Sequence, residues 1–431
     1  MTGPAQAPAT PPTARAAARP TAWVAVGLLA FGGSNFAFLA FAGRDLGPGA
    51  AAPLAVAWTL LNAIGIGLFQ PLEQEAGRRI SARRTLTGEA RADLRHLVRL
   101  ALVACTVCAV VAAALLGPIA ALVFQDRREL VAVLVLGLVG QAVAYLARGV
   151  LAGTGRFPRY GLQLLADGVL RTAAAGVLFV AGANVGSYGA VLVVSPILAT
   201  LLAVSPRAVG HAVTGAPAAG GVAPSMGALV AASTSGQLLA NVGQLAVAAL
   251  ATASQQGLAG RFVYAVTVAR IPLFLFAAVQ AVFLPSLAAL LARRDGAGFR
   301  RSVRNATVAT SALGGVGVLG VGLLGNWVMG LIYGPDFHLD TGAFTLVAVS
   351  GGLFMLAQVG AQGLLAHHAD AVVALGWTLG LVAALVSLAL PGDLATRVAL
   401  ALCVGSGAAM VSHGVALRSV HRAWAGEEAA A

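Results

Sequence analysis

The sequence predicts an all-α polytopic membrane protein: about twelve transmembrane helices in two six-helix lobes around a central cavity. Three observations carry that prediction. The 431-residue chain is 59% hydrophobic and 10% charged, with a mean hydropathy of +0.87, too apolar for a water-soluble domain. Apolar stretches of about 20 residues, the length that crosses a bilayer as a helix, recur from one end to the other. The 27 basic residues, every one an arginine, alternate in density between successive connections.

Taken in order, residues 1–20 are rich in Ala, Pro and Thr and predict a disordered cytoplasmic tail. The apolar run after them reads as an uncleaved anchor rather than a signal peptide, because further spans follow it. Spans are expected at 21–42, 51–71, 97–124, 130–152, 160–182 and 187–205, which form a first lobe over 21–205. A Gly/Ala/Pro-rich cytoplasmic linker at 206–226 (TGAPAAGGVAPS) leads to spans at 227–252, 260–291, 303–333, 340–366, 369–390 and 394–419. These give a second lobe over 227–419 and a cytoplasmic tail at 420–431. Between spans 2 and 3, residues 72–96 mix acids and arginines at helical spacing and predict a surface helix lying at the lipid headgroups.

Counting arginines by connection assigns 20 to the tails and alternate connections, five to the other connections, and two, Arg171 and Arg270, to span interiors. The positive-inside rule then places both termini in the cytoplasm. A net charge of +12 on a polar scaffold would suggest nucleic acid. Here the arginines sit in short connectors between apolar runs, which fits anionic headgroups instead.

The halves look alike. Span 2 ends Phe69-Gln70-Pro71 and is followed by Ala82-Arg83-Arg84; span 8 ends Phe283-Leu284-Pro285 and is followed by Ala292-Arg293-Arg294. Six spans per half make these parallel repeats about an axis along the membrane normal.

Polar residues inside spans are costly, so their placement is informative. Gln163, Asp167 and Arg171 are each four apart in span 5 and form one stripe. The stripe is either an ion pair packed on a neighbouring helix or the wall of a hydrated cleft. Gln237, Asn241 and Gln244 repeat the pattern in span 7, Gln358 and Gln362 in span 10, and Ser34, Asn35 and Asn62 add polarity in spans 1 and 2. Any one amide can serve as interhelical glue; several stripes together point to a hydrated cleft. Arg270 lies about ten residues into span 8, ~15 Å deep at 1.5 Å per residue, with no carboxylate within a helical turn. Pro272 follows it and removes a backbone donor. The choice there is between a guanidinium bonded to carbonyls of another helix and one awaiting an anionic substrate.

The sequence shows no nucleotide-binding glycine pattern, no metal-ligand cluster and no soluble domain, so neither an enzyme nor a cofactor is expected. Cys105 and Cys108 share a helix face without further ligands nearby and read as packing. His367-His368 before Asp370 read as a solvated turn, with pH sensing or metal binding as the lesser alternative.

Three segments carry a family resemblance: GRDLGPGAAAPLAVAWTLLNAIGIGLFQPLEQEAGRR, RGVLAGTGRFPRYGLQLLADGVLR and ARIPLFLFAAVQAVFLPSLAALLARRDG. Through them the chain, from about 20 to 420, resembles polysaccharide-biosynthesis flippases of the MATE-like multidrug/oligosaccharidyl-lipid/polysaccharide (MOP) exporter superfamily. The resemblance implies lobes around a V-shaped cavity that carry a lipid-linked saccharide of polyprenyl-phosphate type from inner to outer leaflet by alternating access. It also implies basic cavity residues that hold the substrate's phosphate. Arg270 fits that role first and Arg171 second, with Asp167, Gln163, Gln237, Asn241, Gln244, Asn35 and Asn62 as further cavity residues. Span 1, Trp23 to Ala42, lacks the acid that cation-coupled drug exporters of the superfamily commonly carry in a first-lobe helix, though Asp167 could couple protons. The partners expected are the bilayer, an anionic lipid-linked saccharide and neighbouring glycosyltransferases or a polymerase, for a monomer in a bacterial plasma membrane that binds no nucleic acid. A cation-coupled small-molecule antiporter and a non-transporting scaffold for glycan enzymes are the alternatives.

Overall fold

The structure is a computed structural model that describes residues 14–87, 94–204 and 225–430. Most of the N-terminal tail, residues 88–93 and most of the proposed linker lie outside the described residues. Thirteen α-helices and one 3₁₀ turn make up the described residues, which contain no strand: α1 (Ala14–Thr87), α2 (Arg95–Ala114), α3 (Leu116–Phe124), α4 (Arg128–Gly153), α5 (Phe157–Ala181), α6 (Val185–Ala203), α7 (Ser225–Leu250), α8 (Gln256–Ala269), α9 (Ile271–Ala292), α10 (Gly296–Tyr333), α11 (Thr341–Ala366), α12 (Asp370–Ser387) and α13 (Leu394–Ala430). Nine helices among the described residues are long and apolar enough to cross a membrane. Every one of the twelve expected spans falls on helix, so this is a multi-pass membrane protein.

Spans 1 and 2 are the two arms of α1, folded at Gly47, whose φ of 71° and ψ of 169° are non-helical. Asn35 and Trp58 straddle that glycine, yet their side chains hydrogen-bond at 3.3 Å. An unbroken helix would hold them ~35 Å apart, so the arms run antiparallel. Glycine suits the left-handed φ at this fold. Spans 3 and 8 are each broken as well, at Leu115 between α2 and α3 and at Arg270 between α8 and α9. Elsewhere the ends are set by local chemistry. Asn184, Asp295 and Asp340 accept the backbone N–H of Ser187, Gly298 and Ala343 at 3.0, 2.7 and 2.9 Å, capping α6, α10 and α11. Gly182 closes α5 in a left-handed conformation.

Residues 72–87 depart from the expected surface helix. They continue the second arm of α1, and Ala76 and Ile80 are fully buried. The cause is close packing on α4: a Cβ on Gly149 would come within 2.6 Å of the Glu73 carbonyl oxygen, and one on Gly153 within 2.6 Å of Ile80. Small residues let the two backbones approach, as is usual where helices pack inside a bilayer.

The first arm of α1 packs on α5, the second on α4, and α6 completes the first lobe; α7, α8 and α9 to α13 build the second. The lobes meet chiefly where α1 packs against α7 and α8. Helices alternate in direction, so the α4–α5 and α11–α12 turns, the start of α10 and the end of α13 share one arginine-rich end.

Candidate functional site

Of the residues expected to line one cavity, Asn62, Asp167 and Arg171 line a cleft inside the first lobe and Arg270 lines another inside the second. Asn35, Gln163, Gln237, Asn241 and Gln244 pack around them without lining either. In the first lobe, the helical repeat of α5 puts Gln163, Asp167 and Arg171 on one buried face. Arg171 Nη2 bonds Asp167 Oδ1 at 2.9 Å and Nη1 donates to Asn35 Oδ1 at 2.7 Å, tying α5 to α1. Ser195 of α6 donates to the same Asp167 oxygen at 2.8 Å. Phe31 lies 5.0 Å beneath the guanidinium. Gln163 donates to Thr200 at 3.4 Å, and Asn62 donates back to the Trp58 carbonyl of its own helix at 2.8 Å. A narrow cleft beside these groups is lined by Phe31, Trp58, Asn62, Arg148, Asp167 and Arg171 among others.

Arg148 corrects the sequence count, which assigned it to the α4–α5 turn. α4 runs on to Gly153, and Arg148 is only 6% exposed inside it. It pairs with Glu73 at 3.1 Å, Tyr160 donates to the other Glu73 oxygen at 2.8 Å, and the Tyr145 ring lies 4.0 Å away. Glu73, Tyr160, Ser195 and Trp58 were not singled out from sequence. They lie 75, 87, 28 and 23 positions from the groups they bond, and no local spacing signals such contacts.

The second cleft is built around Arg270, which ends α8 and begins α9. Its Nη2 donates to the Ala240 carbonyl of α7 and its Nη1 to Asn241 Oδ1 at 3.0 Å. Asn241 in turn donates to the Gln237 carbonyl at 2.7 Å. Arg270 therefore has partners that its own helix did not reveal, and both are neutral. Among the described residues no carboxylate lies within ion-pair distance of it. The half-buried guanidinium lines a narrow cleft with Ala240, Leu273, Ser350, Phe354 and Ser406. Gln244 is buried a turn beyond Asn241, and neither atom of its amide has a hydrogen-bond partner. Gln237 is half-buried on the same helix.

Both lobes thus use one device: an asparagine on the first helix accepts from an arginine deep in the bundle. The arginines differ in origin, the fifth span in one lobe and the second in the other.

At the end opposite the arginine-rich one, the lobes are sealed together. Arg44 of α1 donates to the carbonyls of Ile332, at 2.8 Å, and Leu331, in the last turn of α10. A cation there also faces the negative end of the helix dipole. Tyr264 stacks edge-on to Tyr333 at 4.7 Å and packs with Phe337 over Gly43. At Gly260 a Cβ would sit 1.9 Å from the Pro48 carbonyl oxygen, so only glycine allows α8 to press on the fold of α1.

An uncharacterized Mycobacterium tuberculosis protein, Rv1510, is 31% identical over 382 residues, covering 87% of this chain and 86% of its own. A second uncharacterized protein of that species, Rv3630, is 28% identical over 391 residues, covering 89% of this chain and 88% of its own. The chain belongs to the family of these mycobacterial proteins. No family model matches it.

Solved structures give the family its fold. A multidrug resistance MATE family transporter of the MOP superfamily, in an inward-facing conformation, superposes with a TM-score of 0.71 at 15% identity, over 91% of this chain and 94% of that one. An outward-facing conformation of such a transporter scores 0.64 at 15% identity, over 94% and 95%. A MOP superfamily transporter from Pyrococcus furiosus, described as having a binding pocket of reverse polarity that suggests a different function, scores 0.69 at 14% identity over 94% and 96%. The fold is therefore the MATE-like fold of the MOP superfamily.

Proposed function

We propose that the protein is an alternating-access transporter that carries an anionic lipid-linked saccharide, of polyprenyl-phosphate type, from the inner to the outer leaflet of a bacterial plasma membrane. In this reading the arginine-rich end and both termini are cytoplasmic, and the sealed end faces outward. One observation carries the choice of substrate. The deep basic group Arg270 has no carboxylate within ion-pair distance among the described residues, while the deep acid Asp167 is already engaged by Arg171 and Ser195.

A guanidinium at mid-membrane without a counter-charge costs at least ~2.5 kcal/mol on insertion scales. Arginine carries five N–H donors, and two at Arg270 serve Ala240 and Asn241. The others are available to a phosphate in the cleft, where a charge-assisted, bidentate contact recovers that cost. Packing partners change at the break at Arg270: α8 packs on α1, whereas α9 packs mainly on α10 and α11 of its own lobe. Substrate charge bound at this joint would bias how the two halves of the span sit. A cation substrate would need a carboxylate free of internal partners, which argues against the small-molecule antiporter. A scaffold that does not transport would have no use for buried polar clefts. The pocket of reverse polarity described for the Pyrococcus furiosus transporter is in keeping with a basic site on this fold.

Deleting the chain's gene and complementing with Arg270→Ala tests the reading. Surface polysaccharide is expected to disappear while the protein still accumulates in the membrane. Normal polymer from that variant would sink the anchor role of Arg270. Neighbouring glycosyltransferases or a polymerase would supply the substrate and consume the product.

A further inference from the structure

The α11–α12 turn and the end of α13 meet through two histidines, outside the polar clefts. His421 Nδ1 lies 3.4 Å from His367 Nε2. The two residues are 54 positions apart, and both flank apolar spans at the arginine-rich end. His421 is buried between two aromatic rings: Phe299 of α10 stacks on it at 4.7 Å and 14°, and Trp424 at 5.4 Å and 21°. Those rings meet His367 edge-on, at 5.1 and 5.9 Å. Three helices therefore converge on one pair of imidazoles.

We propose that His367 and His421 share a single proton and act as a pH-sensitive clasp that holds the cytoplasmic ends of α10, α11 and α13 together. Two ring nitrogens facing each other need one proton between them, since two lone pairs repel and two N–H groups repel. An imidazolium sandwiched by aromatic faces gains from their quadrupoles, which assigns the charge to His421. His367 is the acceptor: burial, then the charges of His421 and His368, hold its imidazole below the ordinary histidine range. The neutral imidazoles already place one N–H between them; a proton added to His421 makes that bond charge-assisted and tightens the clasp, and a second, at lower pH, opens it. The pair titrates as a unit.

The elements around the pair carry further charged and titratable groups. From α10 the pair is met by Gly296 and Phe299, with Arg293, Arg294, Asp295, Arg300 and Arg301 on the same stretch. Asp295 is occupied in capping its own helix. His368 and Asp370 share the α11–α12 turn, and Arg418 and Arg422 lie on α13. The side chains beyond residue 426 lie outside the described ones.

The test is a fluorescence titration of the purified full-length protein between about pH 8 and pH 5, the range in which histidine changes charge. The Trp424 signal is isolated as the difference from Trp424→Phe. Protonation of a stacked imidazole quenches an indole, so the wild type is expected to show a quenching transition that His421→Gln removes. His367→Phe deletes the acceptor and is expected to weaken proton binding about tenfold, moving the midpoint down by about one pH unit. His367→Gln keeps an accepting oxygen and is expected to leave the midpoint near that of the wild type, which separates lost pairing from lost folding. A midpoint indifferent to His367→Phe would overturn the clasp. So would quenching that follows added Zn²⁺ at pH 8 and reverses with chelator, since that would make the pair a metal site.

Discussion

Asp167 and Arg171 form a deeply buried pair in the first lobe, and their worth differs from that of a surface ion pair. Both are nearly inaccessible. Removing one partner strands the other's charge in the bundle, a loss of ~3–5 kcal/mol, whereas replacing both with apolar groups of similar size is often neutral. Asp167→Leu alone is therefore expected to lower the melting temperature in detergent sharply, and Asp167→Leu with Arg171→Met to recover most of it. A double variant no better than the single one would mean that Asn35, Ser195 and Phe31 hold the arginine regardless. Arg270 is different because its partners are neutral. Arg270→Met is expected to fold with little loss and to fail in transport, whereas Arg270→Lys keeps the charge, loses the planar fork and is expected to be intermediate.

At the scale of helices, glycine spacing decides which elements touch. Gly161 and Gly168 lie seven apart on α5, and a Cβ on either would press on the backbone of α1, at 2.3 Å from the Trp23 carbonyl oxygen and 2.7 Å from that of Ala30. Backbone cannot yield as a side chain can, so Gly168→Val is expected to separate α1 from α5 and take Asn35 away from Arg171. Loss of monodisperse protein on size-exclusion chromatography is the readout. The fold of α1 at Gly47 sets a smaller effect. Gly47→Ala puts a side chain at a positive φ with extended ψ that only glycine readily adopts and is expected to cost ~1–3 kcal/mol, visible as a drop in melting temperature with transport retained.

For the whole molecule, the proposed transport cycle makes the contact of Arg44 with the Ile332 and Leu331 carbonyls the bond to break for opening at that end. Arg44→Ala removes two bonds between the lobes and is expected to shift the population toward opening at that end. A cysteine placed beside Tyr333 should then react faster with a membrane-impermeant thiol reagent; an unchanged rate would mean the aromatic packing of Tyr264, Tyr333 and Phe337 holds the seal alone. Much of this architecture was legible in the sequence, because a bilayer demands long apolar runs and leaves its mark on arginine placement. The helices under the twelve expected spans were, and so was the Asp167–Arg171 pair, whose four-residue spacing fixes a shared face. What lay hidden depends on contacts between distant segments. The Arg270–Ala240 bond, the Arg148–Glu73–Tyr160 cluster and the His367–His421 pair join residues whose proximity only packing creates. The extension of α1 through residue 87 was read as a surface helix because its charges suggested headgroups. Gly149 and Gly153 on another helix were what buried it.

Whether Arg270 anchors a transported anion is decided in reconstituted protein. Liposomes would carry a fluorescent polyprenyl-diphosphate saccharide in the inner leaflet, with arrival outside read by an impermeant quencher. Wild-type protein is expected to expose the probe, and Arg270→Met to leave it protected despite normal incorporation. Exposure at the wild-type rate by Arg270→Met would contradict the account, all the more if Asp167→Asn instead abolished proton-driven efflux of a cationic dye.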